Sequence, residues 1–200
     1  MEALELSPAW PFSKAKTAVL VAAAEVIRED GPRSATLKSI SRRAGITEPA
    51  IFRHFDGVDG LFAGLFEVYE LLFAEILKAY EAEEPGLEGY FSALDKILRI
   101  IGGNRDFAYL IPYAELVFSG YGELKGRLAG LRALGDRKVA SCLAVASGEL
   151  KAGAEPEMVA AASAGIIHLG LVRWLEANFS FDLVEACERS LSPLQRLITA

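Results

Sequence analysis

Residues 31–55 read GPRSATLKSISRRAGITEPAIFRHF. The run holds five basic residues (Arg33, Lys38, Arg42, Arg43 and Arg53) against one acid, Glu48, in a chain whose formal net charge is −6. Gly45 interrupts it between two short helical patterns. Thr36 is placed to cap the first, whose inner face is Leu37, Ile40 and Ala44, and Gly45 stops it. Thr47 is placed to cap the second, which carries Ala50, Ile51 and Phe55. Ile40, Ala44, Ile46 and Ile51 are expected to pack the two helices together. A basic helix-turn-helix in an acidic protein points to a surface that meets a polyanion.

The charge is local. Residues 1–58 carry eight Lys/Arg against seven Asp/Glu, and the remainder carries 13 against 20. A broadly basic, sequence-indifferent nucleic-acid coat is therefore excluded. With 200 residues, 52% hydrophobic and 24% charged, the chain can bury a sizeable core. Cys142 and Cys187 are too few and too separated for a disulfide framework or a zinc site, and they fit a reducing cytosol. The start has no basic region followed by an apolar core, so no secretory signal is expected. Residues 158–172 form the longest apolar stretch, short of the roughly 20 residues of a membrane span. They are expected to form a buried helix.

Apolar spacing predicts helices nearly throughout. A first helix is expected over about residues 13–30. A long amphipathic one, carrying Leu61, Phe62, Leu65, Phe66, Tyr69, Leu72, Phe73 and Ile76, should end near Pro85-Gly86. Others follow over about 87–101, 106–118 (kinked at Pro112), 121–150 (broken near Gly135), 156–178 and 182–198, with Pro193 disturbing the last turns. Trp10 and Phe12 either pack against the first helix or form an arm. The fold class is all-α, with a three-helix helix-turn-helix domain at residues 1–60 and a larger helical domain at 61–200.

The run 19–23 (VLVAA), Gly31, the run 36–41 (TLKSIS), Ala44-Gly45-Ile46-Thr47, Phe52-Arg53-His54-Phe55 and Leu61-Phe62 together resemble a TetR-family DNA-binding domain, in order and spacing over about residues 13–62. The resemblance implies that the second helix of the motif enters the major groove. Thr36 and Lys38 would then reach phosphate or a base edge, and Thr47 would cap the recognition helix and bind phosphate. Glu48, Pro49 and Ala50 would face bases, the acid accepting from cytosine and the apolar pair touching a thymine methyl. Arg53 and His54 would lie along the phosphates. Phe52 stands where the family usually has Tyr, which removes one phosphate hydrogen bond. Val58, beside Asp56 and Asp59, stands where it usually has Lys.

The larger domain is rich in aromatics, which suit an apolar pocket. Tyr69, Phe73, Tyr109, Tyr113 and Phe118 are candidate walls, and Glu115 and His168, each within an apolar stretch, are candidate polar anchors. Residues 160–174 are rich in small side chains that let helices approach closely. The resemblance implies that the last two helices form a dimer bundle. The expected function is a cytoplasmic, homodimeric, ligand-responsive repressor. It would bind a near-palindromic double-stranded DNA operator and be released by a small apolar or aromatic effector, with no metal, cofactor or membrane. An enzyme on an apolar substrate, with His168 essential, and a protein-interaction module that has lost operator affinity are the competing classes.

Overall fold

The computed structural model describes residues 11–200; Trp10 lies outside them. Among the described residues there is no strand, only an isolated antiparallel bridge between Leu150 and Thr199. The helices are α1 (Lys14–Asp30), α2 (Leu37–Ala44), α3 (Glu48–Ile51), α4 (Gly57–Glu81), α5 (Leu87–Gly103), α6 (Leu110–Phe118), α7 (Gly122–Leu143), α8 (Pro156–Glu176) and α9 (Leu183–Ile198). Short 3-10 turns occupy Pro32–Ser34 and Ala146–Gly148. The chain forms two compact units. One takes residues up to Leu71 with Asn104–Ala129, and the other takes Leu72–Gly103 with Gly130–Ala200.

In the first unit α1 starts at Ser13, whose hydroxyl accepts from the Lys16 amide at 3.3 Å. It buries Val19, Leu20, Ala23 and Ile27 against α2. Phe12 packs rather than reaching away: it is buried, and the Lys16 ammonium lies 4.9 Å from the centre of its ring and 5.2 Å from that of Phe55. Gly64 on α4 is a close-approach position. A Cβ there would come within 2.9 Å of Phe55 Cε1 and 3.1 Å of Leu20 Cδ2, so a larger residue would push α4 off the three-helix core.

Some expected element limits shift. The helix expected from 106 begins at Leu110, so Pro112 falls in its first turn and produces no kink. There the missing amide hydrogen is no loss. α7 is unbroken at Gly135, where a Cβ would meet the Phe73 ring at 3.0 Å. Helix α9 likewise contains Pro193 and continues to Ile198.

In the second unit α9 packs on both α8 and α5. Trp174 is buried and its indole N–H donates to the Phe181 carbonyl at 3.0 Å. Gly170 and Cys187 bring α8 and α9 together so closely that a Cβ on Gly170 would lie 2.5 Å from Cys187 Sγ. The expectation that α8 is a buried helix is overturned. His168 and Arg173 do not interrupt it, so it runs 21 residues and is, by length and composition, apolar enough to cross a membrane. Only 28% of its most apolar window is buried within the chain. Val159, Ser163, Leu171 and Trp174 face inward, while Ala161, Ala162, Ala164, Gly165 and Leu169 are exposed.

Candidate nucleic-acid interface

Thr36 begins α2 with a reciprocal cap. Its Oγ1 accepts from the Ser39 amide at 3.1 Å, and the Thr36 amide donates to Ser39 Oγ at 3.0 Å. Both orphan donors are thus satisfied at an exposed turn. Gly45 ends the helix in the left-handed region (φ 68°, ψ 29°), a conformation that costs other residues steric strain. Ile40 and Ile51 are wholly buried and pin α2 to α3. Ile46 departs from expectation: placed just after the left-handed turn, it is 38% exposed rather than packed between the helices.

The helix opening at Glu48 is only four residues long. The chain then tightens, with the amides of His54 and Phe55 both donating to the Ile51 carbonyl at 2.9 and 3.0 Å. Thr47 occupies the cap position, but its side chain makes no capping bond. Thr47, Glu48 and Pro49 are exposed, and Ala50 and His54 are half-buried. Phe52 and Arg53 are exposed on the turn that follows, Phe52 at 57%.

The charge of the surface is smaller than the sequence count. Arg43 bonds Glu29 and reaches Glu25 at 3.3 Å, tying α2 to α1. The hydrogen bond from Arg43 holds the Glu29 carboxyl below the usual carboxylate range. Arg33, Lys38, Arg42 and Arg53 remain exposed, and among the described residues no carboxylate pairs with them. Arg42 joins Lys38 and Arg53 as an exposed cation, marked in the sequence only by its place in the basic run. Beyond the motif, Asp56 and Asp59 are exposed and Val58 is half-buried.

The candidate effector residues divide into smaller sets. In the first unit Tyr69 and Phe118 are buried in an aromatic cluster with Phe66, the Phe66–Phe118 ring centres lying 5.0 Å apart edge to face. The Arg127 guanidinium lies 4.8 Å from the Phe66 ring centre and bonds Glu70 at 2.6 Å. Tyr109 and Tyr113 stack at 4.5 Å and are half-buried, while Glu115 is exposed. Burial, then its Tyr113 neighbour, raises the Tyr109 phenol above its ordinary range. Phe73 and His168 belong to the second unit, and His168 is exposed on α8. That unit also has a groove of about 260 Å³ between α5 and α9, floored by Phe91, Leu98 and Leu191 and edged by Glu88, Asp95 and Glu188. None of the candidate effector residues lines it.

Residues 19–65 match the family model for bacterial regulatory proteins, tetR family. A search of curated protein sequences returns no match. Similar solved structures include MbdR from Azoarcus sp. CIB, 19% identical with a TM-score of 0.70, covering 88% of this chain and 96% of that one. FadR from Bacillus subtilis, in complex with stearoyl-CoA, is 18% identical with a TM-score of 0.64, covering 89% and 96%. The ketosteroid transcriptional regulator KstR2 of Mycobacterium tuberculosis is 15% identical with a TM-score of 0.64, covering 94% and 97%. At these identities the likeness to solved structures establishes the fold alone. Residues 19–65, less than half of the chain, are similar to the N-terminal segment of bacterial regulatory proteins of the tetR family.

Proposed function

We propose that this protein is a transcriptional regulator, a homodimeric repressor that binds a near-palindromic operator and is released by a small apolar or aromatic effector. The observation that carries the reading is the exposed basic set Lys38, Arg42 and Arg53 beside a buried Ile40–Ile51 junction. A rigid helix pair of this kind presents Thr36, Thr47, Glu48, Pro49, Ala50, Phe52 and His54 to DNA, while the cations meet phosphate. Residues 1–60 are the DNA-binding domain and residues 61–200 the effector and dimerisation domain. A second copy of the chain covers the exposed face of α8, whose small side chains permit a close helix crossing. Twofold symmetry then places the two recognition helices roughly 34–36 Å apart.

Candidate effector contacts are Tyr69, Tyr109, Tyr113, Glu115 and Phe118 in the first unit and Phe73 and His168 in the second, and their aromatic character suits an apolar molecule. FadR was solved with stearoyl-CoA and KstR2 is named for ketosteroids, which supports a greasy effector here. An effector that weakens DNA binding must itself bind the DNA-bound form less tightly, by a coupling typically of about 1–3 kcal/mol. The test is retention of duplexes from a random-sequence library at moderate salt. Enrichment of palindromic sequences, lost in Arg53→Ala, is expected. No enrichment, with Arg53→Ala indistinguishable from the parent, sinks the reading.

A further inference from the structure

We infer that Ile46 and Phe52 read thymine methyl groups, so that the bases facing residues 46–52 are specified largely by apolar contact. The inference rests on the DNA-binding reading above. Within the three-helix region the large apolar side chains Ile40, Ile51 and Phe55 are 0–5% exposed, whereas Ile46 and Phe52 stand at 38% and 57%. The two flank α3, one just before Thr47 and the other just after Ile51. Exposed apolar area on a DNA-facing element is unfavourable in water and is recovered only by an apolar partner.

The surroundings select that partner. Lys38, Arg42 and Arg53 are exposed beside these residues in sequence, so the occupant is a polyanion. From position 46 to 52 the residues are Ile, Thr, Glu, Pro, Ala, Ile and Phe. That segment has no Arg, Lys, Asn or Gln to make a bidentate bond to guanine or adenine. Its polar groups are the Thr47 hydroxyl and the Glu48 carboxylate, the latter matched to cytosine N4. The apolar feature that bases offer in the major groove is the thymine C5 methyl. Ile46 and Phe52 extend the apolar stripe of Pro49 and Ala50 to either side, enlarging the number of thymines that can be read.

The test uses the full-length protein and duplexes selected from random-sequence DNA. Each selected duplex is resynthesised with deoxyuridine for thymidine, which deletes only the methyl groups. Expected are thymines in the half-site consensus and a loss of about fourfold per contacted methyl, the factor for one buried CH₂-sized group. In Phe52→Ala and Ile46→Ala the deoxyuridine penalty should shrink at one position each, a coupling that a merely weakened protein would not produce. Both side chains are exposed, and the folding of each variant is checked by its thermal transition. If duplexes are selected but deoxyuridine binds as tightly as thymidine, the methyl readout is wrong while the regulator reading stands. If no duplex is selected, both fall together.

Discussion

Helices α2 and α8 both leave long faces in solvent, but they expose opposite chemistry. On α2 the exposed side chains are Lys38, Arg42 and Arg43, and the buried ones are Ile40 and Ser41. On α8 the exposed residues include Met158, Ala161, Ala162, Ala164, Gly165 and Leu169, with His168 and Arg173 the exposed polar ones between its ends, and the buried ones include Val159, Leu171 and Trp174. The first is amphipathic, so its pattern already says which side meets the core. The second is apolar over most of its surface, with His168 and Arg173 the only polar breaks between Met158 and Leu175 apart from the buried Ser163, so its pattern separates the side covered by α9 from the open side only weakly. A charged open face fits a polyanion, while an open face of small apolar residues fits another helix.

Changes on the two faces sharpen that contrast. The largest effect is expected from Gly165→Arg, at a position where an added Cβ meets no atom within 4 Å. The chain should fold, yet sediment as a monomer and lose operator affinity by roughly hundredfold or more as bivalency disappears. A dimer that persists would remove α8 from the interface. On the opposite side of the same helix, Gly170→Ala forces a Cβ against Cys187 Sγ and should cost about 1–3 kcal/mol in urea unfolding. Adding Cys187→Ala should recover part of it.

On α2 the effects are smaller. Thr36→Ala removes the α2 cap and should lower stability by about 1 kcal/mol in the same unfolding assay. Smallest is Arg43→Ala, an exposed pair worth about 0.2–1 kcal/mol. The Glu29 carboxyl is held below its ordinary range, so that contribution is present above the unfolded value and fades as pH falls through the folded one. Arg43→Ala should therefore flatten the acid limb of the stability profile. It should leave the salt dependence of DNA binding unchanged, whereas Arg42→Ala should reduce that slope by about one.

These differences track what local sequence can encode. The cap at Thr36, the stop at Gly45 and the extent of α1 are legible because each is decided within a few residues. Arg43 reads as one more cation of the basic run because its partner Glu29 lies 14 residues upstream on another helix, beyond any local pattern. Ile46 was assigned to packing from its spacing, and the reversal of the chain at Gly45 turned it outward. The apolar run of α8 gave the helix correctly, but hydropathy records only that a face avoids water and leaves open what covers it. The aromatic candidates had the same ambiguity: Tyr69 and Phe118 went to the core, and Tyr109 and Tyr113 stack with each other.

The close crossing at Gly170 also makes Cys187 a native clock for the second unit. Its thiol is 1% exposed, and burial pushes its ionisation up to about 11. With no side chain on Gly170 there is room for the sulfur but none for an alkylating group. A thiol reagent can therefore reach Cys187, as distinct from Cys142, only during excursions in which α8 and α9 part. Its rate would count those openings, as hydrogen exchange counts them for backbone amides. Because α8 also carries the exposed small-residue face, the same rate should slow if a second subunit holds that helix in place. Assembly could then be followed from the protein's own sulfur without an introduced label.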